Sequence, residues 1–374
     1  MQYDLIVLGT GGIGSAALYS GAQRGLMCLG LDRFAPAHDR GSSHGESRLI
    51  RQSYFEHPDY VPLLRRSYAL WDALDPHLLH RSGGVYCGPP DGEMIKGVLA
   101  SAREHHLDVQ RVDASAYPQY RCAPDAVAVF EPDAGWLPVE RCVRTHIDKA
   151  VAAGAEHRWG EPVVHWHEGD AGIEVATASE RFRARSLVIA GGPWAAHLLS
   201  DLSLPLIVQR KHLHWFGCDD PRYRHGFFYQ VADGLFYGFP AGDGRLKLAE
   251  HSGGEVVDDP LTAHRNLCPK DDARIANFVA DYLPGVIGPR VDHATCFYTR
   301  TPDEHFIVDR YPGSSAVAFA AGLSGHGFKF APALGEVLVD LATGVESVCD
   351  IDFLSLERES LTAANDASSA QTGR

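Results

Sequence analysis

The chain has 374 residues, 45% hydrophobic and 22% charged, which suits a water-soluble protein of one large or two ordinary domains. Its 34 Lys and Arg against 48 Asp and Glu give a formal net charge of −14, which repels phosphate backbones and anionic lipid and argues against nucleic acid and membrane partners. No apolar run approaches the roughly 20 residues of a membrane helix, and Asp4 ahead of the first apolar stretch is unlike a secretory leader.

The continuous apolar run Asp4–Leu8 predicts a buried parallel strand. Gly9-Thr10-Gly11-Gly12-Ile13-Gly14 follows and fits G-x-G-x-x-G; a helix from Ser15 to Arg24 then stops at Gly25. Leu26–Leu31 predicts a second strand ending at Asp32, 18 residues after Gly14, where a ribose-binding carboxylate belongs. Together these predict a dinucleotide site. The glycines admit a pyrophosphate to the backbone and the helix N-terminus offers free N–H groups. The unit serves NAD and FAD alike.

Val61, Leu64, Tyr68 and Trp71 recur at helical spacing and Pro76 closes that helix. The eight cysteines (Cys28, Cys87, Cys122, Cys142, Cys218, Cys268, Cys296 and Cys349) are dispersed, with no C-x-x-C pair, so reduced thiols in the cytoplasm are expected. Twenty histidines are likewise scattered. His165 and His167, flanking Trp166, lack further ligands at useful spacing and read as the wet face of a strand, so no metal site is expected. Ile173–Val175 and Phe182–Ala184 predict a hairpin, and Leu187–Ile189 a buried strand running into Gly191. The aromatic-rich stretch from Phe227 to Lys247 suits either strand core or a cavity wall. Phe306–Val308 and Val317–Phe319 predict two strands turning at Pro312-Gly313, and Gly322–Lys329 leads into a helix reaching Leu341. Residues 357–374 are polar and predict a frayed tail.

Several blocks recur together: the opening fingerprint, Gly41-Ser42-Ser43-His44-Gly45-Glu46-Ser47-Arg48-Leu49-Ile50-Arg51, Tyr60-Val61-Pro62-Leu63, Tyr237-Gly238-Phe239-Pro240, Leu246-Lys247-Leu248, Cys296-Phe297-Tyr298, Asp303–Asp309 and Leu323–Phe330. In these blocks the chain resembles the monomeric sarcosine oxidase and N-methyltryptophan oxidase group of FAD-dependent amine oxidases. The resemblance implies an α/β fold in which a Rossmann-like FAD domain (1–82, 143–205 and 303–356) interleaves with a substrate domain on a large mixed or antiparallel sheet (83–142 and 206–302). It implies FAD held covalently through Cys296 at the flavin 8-methyl carbon. Gly9, Gly11, Gly12, Gly14, Asp32, Arg33, Ser42, Ser43, Gly191, Gly325, Gly327 and Phe328 would contact the cofactor. Lys247 would sit near flavin N5 and activate oxygen. A cation 4 Å from a developing charge at an effective dielectric of about 20 contributes roughly 4 kcal/mol, or about three orders of magnitude in rate.

Arg51 and Lys329 match the pair that grips a substrate carboxylate, Arg48 and His44 lie close to the flavin ring, and Tyr237, Tyr298, His251 and Phe228 line the substrate site. Ser43 stands where a second histidine is common, Glu46-Ser47 replaces Asp-Thr, and the Ala241–Arg245 loop differs, leaving the substrate side chain open. The expected activity is that of a cytoplasmic, monomeric oxidase of N-methyl amino acids that forms an imine and reduces O2 to H2O2. Its rivals are an oxidase or desaturase of cyclic or bulkier secondary amines of the pipecolate kind and an FAD dehydrogenase passing electrons to a partner. From the opening unit alone, an NAD-dependent dehydrogenase or a nucleotide-binding regulatory protein also remains open.

Overall fold

The computed structural model describes residues 2–361. The opening apolar run forms the strand Gln2–Leu8, parallel to Cys28–Asp32 on one side and Arg181–Ile189 on the other. Leu5 and Val7 pack into one core and Ile6 and Leu8 into another, so both faces are covered and the run is continuous rather than alternating. The order across this eight-stranded sheet is Ile307–Arg310, Val317–Ala321, Arg181–Ile189, Gln2–Leu8, Cys28–Asp32, Glu156–Trp159, with Gly172–Thr177 and then Val163–Gly169 branching from Arg181–Ile189. The helix Gly12–Gln23 packs between helices Val139–Ala152 and Ala331–Thr343. The helix Tyr60–Leu74 buries Val61, Leu64, Tyr68 and Trp71 and ends at extended Asp75, as the following proline requires.

Four details depart from the sequence reading. The first helix begins at Gly12, not Ser15, because the glycines themselves form its first turn. The segments Phe182–Ala184 and Leu187–Ile189 are one strand, Arg181–Ile189. Its first half pairs antiparallel with Gly172–Thr177 and its second half parallel with Val317–Ala321, so it passes from half-exposed to fully covered. The helix Val139–Ala152 runs across the boundary expected at 142/143, so the chain returns to the first sheet's layer at the start of that helix. The start of the expected frayed tail is anchored: Arg358 forks onto Asp303 at 2.7 and 2.9 Å and Leu361 is fully buried. The remainder of that tail, 362–374, lies outside the described residues.

The second sheet has nine strands drawn from 84–131 and 207–300, antiparallel except where Gly84–Gly88 runs parallel to Gly226–Val231. Its aromatics divide by strand alternation. Phe227, Tyr229 and Phe236 pack beneath the helix Pro269–Tyr282, while Phe228, Tyr237 and Phe239 gather on the opposite face, so the stretch is both core and cavity wall. His165 and His167 lie exposed on the strand Val163–Gly169. No helix among the described residues is long and apolar enough to cross a membrane.

Candidate active site

A cleft runs from the C-terminal ends of the first sheet's parallel strands to the face of the second sheet. At one end Asp32 is nearly buried, accepting from the backbone N–H groups of Thr10 (2.6 Å) and Phe34 (2.9 Å). The Thr10 hydroxyl adds a third hydrogen bond at 3.1 Å. The carboxylate is thereby fixed at the cleft wall, where ribose hydroxyls would be met.

The turn between strand and helix has no room for side chains. A Cβ on Gly14 would fall 1.7 Å from the Gly9 carbonyl oxygen, and Gly9, at φ +81°, would bring one to 2.5 Å from the Ala190 oxygen. Gly9, Gly11 and Gly12 line the cleft; Gly14 stands behind them and sets how closely helix and strand pack. Ser43 reaches over to accept from the Gly12 N–H at 3.0 Å, satisfying one of the free donors at the helix start. The indole nitrogen of Trp194, buried at the same cleft, has no partner. A long cleft with a bare backbone cradle, a fixed carboxylate and an orphan donor fits an elongated dinucleotide.

Arg33, Ser42, Ser43, Arg48, Gly191, Tyr298, Gly325, Gly327 and Phe328 also line the cleft. Cys296, His44 and Lys247 do not. Cys296 is buried on the strand Arg290–Arg300, two residues before Tyr298 and on the same sheet face. His44 is buried with its Nε2 unpartnered, and burial and then Arg48 drive its pKa down to about 3, so it is a neutral imidazole. Lys247 is wholly buried. Its Nζ donates to the carbonyls of Gly45 and, at 2.8 Å, Ser47, and it lies over the rings of Trp215 and Phe239. Burial first and Arg48 second push its pKa well below the ordinary lysine range.

A second, smaller cavity adjoins the cleft and shares Arg48, Tyr298, Gly325 and Phe328 with it. Arg48 is pinned at this junction by the carbonyls of Ser47 and Ser42, each at 2.8 Å. Arg51 and Lys329 both line the second cavity, although 278 residues separate them in sequence. Arg51, 2% exposed, lies over Tyr54 and Phe55; its Nη2 donates to both Glu56 oxygens at 2.8 and 2.9 Å and its Nη1 to the Ser53 carbonyl at 2.9 Å. Burial opposes its charge, but the Glu56 carboxylate outweighs that and raises its pKa. Lys329 donates to the His326 carbonyl at 2.7 Å, and burial, then Arg51, lower its pKa to about 7. Phe228 and Tyr237, stacked 5.9 Å apart, join His251 and Tyr298 on the remaining wall. Tyr298 contacts the Tyr237 hydroxyl at 3.4 Å and His251 Nδ1 at 3.5 Å, and burial holds His251 neutral.

The sequence reading missed three groups. Glu56 occupies the guanidinium of Arg51; an acid five residues after an arginine gave no periodic signal. His326 lines the cavity from inside the Leu323–Phe330 block, its ring bonded to Tyr54. Lys211 donates to the carbonyls of His251, Ser252 and Gly253 at 3.2, 2.6 and 2.9 Å and so fixes the turn that carries His251. No group of His, Cys, Asp and Glu among the described residues is arranged to hold a metal ion.

Residues 4–341 match the FAD dependent oxidoreductase family. The chain is 40% identical over 362 residues to a monomeric sarcosine oxidase of Streptomyces avermitilis, covering 91% of this chain and 93% of that one. It is 37% identical over 373 residues to an N-methyl-L-tryptophan oxidase of Salmonella agona, covering 96% and 99%. Among solved structures, NikD, an unusual amino acid oxidase essential for nikkomycin biosynthesis, superposes with a TM-score of 0.85 at 25% identity, covering 95% of this chain and 97% of NikD. Glycine oxidase from Geobacillus kaustophilus shares the fold at a TM-score of 0.83 and 21% identity, covering 96% and 99%. With a glycine cradle, a fixed carboxylate and a cleft of the right form already in place, these likenesses establish that the chain is an enzyme of the FAD-dependent oxidoreductase family, in the group that contains the sarcosine and N-methyltryptophan oxidases.

Proposed function

We propose that the enzyme oxidises the C–N bond of an N-methylated amino acid to an imine, which water hydrolyses to formaldehyde and the primary amino acid while O2 becomes hydrogen peroxide. The observation that carries this reading is the pair of buried cations, Arg51 and Lys329, in a cavity that meets the dinucleotide cleft at Arg48 and Tyr298. FAD, when bound, supplies the acceptor for the hydride equivalent and the route for its electrons to O2.

The residues of the chain bind, orient and keep the site dry. Arg51 and Lys329 hold the substrate carboxylate, and with two anchored cations its position fixes where the nitrogen and its methyl group lie. In the free enzyme Arg51 is already paired with Glu56, so the incoming carboxylate takes over a guanidinium that is charged and oriented in advance. The cations Arg48, Arg51 and Lys329 disfavour a protonated amine, and the imidazoles of His251 and His326, held neutral by burial, add no further charge. Phe228 and Tyr237 close the wall and exclude water.

The site roles remain part of this proposal. Lys247 keeps positive charge behind the Gly45–Ser47 turn, beside Arg48, and assists oxygen reduction. Cys296 carries the covalent link. The two sheets correspond to two interleaved domains, with the smaller cavity lying against the second. The name of the Streptomyces relative supports a monomer, and eight free cysteines support a reducing, cytoplasmic setting.

A peroxide-coupled assay with sarcosine, N-methyltryptophan, pipecolate and proline tests the reading. Peroxide from an N-methyl amino acid, with KM raised in Arg51→Gln and Lys329→Gln, is the expected result. Turnover of pipecolate or proline alone would move the substrate class to cyclic amines, and slow reoxidation of the reduced enzyme by air would make it a dehydrogenase.

A further inference from the structure

On the face of the nine-stranded sheet away from the substrate cavity, two cysteines 35 residues apart in sequence meet with their Sγ atoms 2.6 Å apart. Cys87 is buried in the strand Gly84–Gly88, opposite Tyr229 on one neighbouring strand and Ala128 on the other. Cys122 is half-buried, on the connection between Gln110–Val112 and Val127–Glu131. A thiol is a weak donor and a weak acceptor, so a hydrogen bond alone is a poor reason for two to meet here. The separation is roughly half an ångström beyond a covalent S–S bond. No other two sulfurs among the described residues make such a contact. The contact also divides the roles: it draws the half-exposed Cys122 thiol below its ordinary range and, together with burial, pushes the Cys87 thiol up.

We propose that Cys87 and Cys122 form a dithiol that hydrogen peroxide oxidises to a disulfide, tying the 113–126 segment to the sheet. The Cys122 thiolate attacks one peroxide oxygen, the O–O bond breaks, hydroxide leaves, and Cys122 becomes a sulfenic acid. Cys87 then gives up its proton and its sulfur attacks that of Cys122; the S–S bond forms, the S–O bond breaks, and water leaves. The pair loses two electrons and two protons in all, and peroxide takes them up as two waters. Only the source of the peroxide rests on the oxidase reading above. The tie lands one residue from Tyr86, whose hydroxyl donates to Glu131 at 2.7 Å, and Glu131 in turn accepts from the backbone of Gln52 and Ser53 beside Arg51.

The test treats the holoenzyme with hydrogen peroxide in the absence of amine, then alkylates residual thiols and maps non-reduced peptides by mass spectrometry. The expected product is one species joining the Cys87 and Cys122 peptides, about 2 Da lighter than their sum and restored to two alkylated thiols by dithiothreitol. In Cys87→Ser, Cys122 is expected to stop at a sulfenic acid that dimedone traps. Separate, fully alkylated Cys87 and Cys122 peptides after peroxide would overturn the proposal, and so would wild-type oxidation to a Cys122 sulfinic acid with Cys87 intact. A second arm replaces added peroxide with amine and air, with and without catalase. A cross-link formed by added peroxide but never during turnover upholds the pair and counts against the oxidase reading instead.

Discussion

Replacing Glu56 by Gln separates two consequences of one contact. Both Glu56 oxygens accept from one outer nitrogen of the Arg51 guanidinium, Nη2, at 2.8 and 2.9 Å, while Nη1 donates to the Ser53 carbonyl at 2.9 Å; the two side chains are only 11% and 2% exposed. A carboxylate ligand that needs Nη2 must first displace Glu56, and charge-assisted bonds of this kind contribute about 1.5–3 kcal/mol. Removing the competitor is therefore expected to tighten a simple carboxylate by about 10- to 100-fold. The free enzyme meanwhile keeps a buried arginine that has lost its counter-charge, which costs about 3–5 kcal/mol when no acceptor remains and less with the glutamine oxygen in place. Calorimetric titration with propionate, a carboxylate without an amine, reads the first effect, and urea unfolding reads the second. The two are linked: propionate is expected to restore more stability to Glu56→Gln than to the wild type. Unchanged or weaker propionate binding in Glu56→Gln would refute the reasoning, because it would mean that the ligand never takes the Nη2 that Glu56 occupies.

Lys329, its pKa lowered to about 7, is expected to bind carboxylates only while protonated. Propionate affinity then falls as pH rises through about 7, and Lys329→Gln, measured by the same titration, flattens that dependence. The stability sign is opposite: between about pH 7 and the ordinary lysine value near 10.4 the unfolded chain holds a proton that the native site has released, so this group's contribution rises with pH across that window and Lys329→Gln abolishes the slope in urea unfolding. Lys247→Met is expected to slow air reoxidation of the reduced enzyme by about two to three orders of magnitude while leaving anaerobic reduction near its wild-type rate in stopped flow. An equal loss in both phases would place Lys247 in substrate handling. Acid-precipitated wild type is expected to stay yellow and Cys296→Ser to release its colour to the supernatant; wild type that bleaches on precipitation would leave Cys296 a buried free thiol.

The sequence announced those parts of the site that are written as local patterns. The strand, the glycines and Asp32 lie within one short unit, because a backbone cradle needs glycine at fixed spacing and a strand covered on both faces needs an unbroken apolar run. Arg51 and Lys329 were legible only through restrictive blocks, since nothing in composition or periodicity distinguishes a buried cation from a surface one. What stayed hidden is contact between elements that the sheets bring together. Glu56 restrains Arg51 by folding back over five residues, and Lys211 crosses a strand pair to hold the His251 turn. Histidines scattered along the chain become neighbours in space: His251 and His326 in the cavity, and His212, His214 and His293 along two paired strands.

The placement of Lys247 sharpens the same point. The resemblance would set it near a flavin ring; the register of its strand with Gly234–Gly242 and Ile207–Gly217 seats its ammonium on the Gly45 and Ser47 carbonyls, behind the wall that Arg48 forms. A lysine buried there, its charge opposed by burial and by Arg48, has its charged form favoured most when negative charge appears on the cleft side of that wall. Its influence on an oxygen-reducing step would then be strongest when the site carries electrons and weakest while substrate is being bound. That asymmetry is why the reoxidation phase, rather than turnover as a whole, is the measurement on which its role depends.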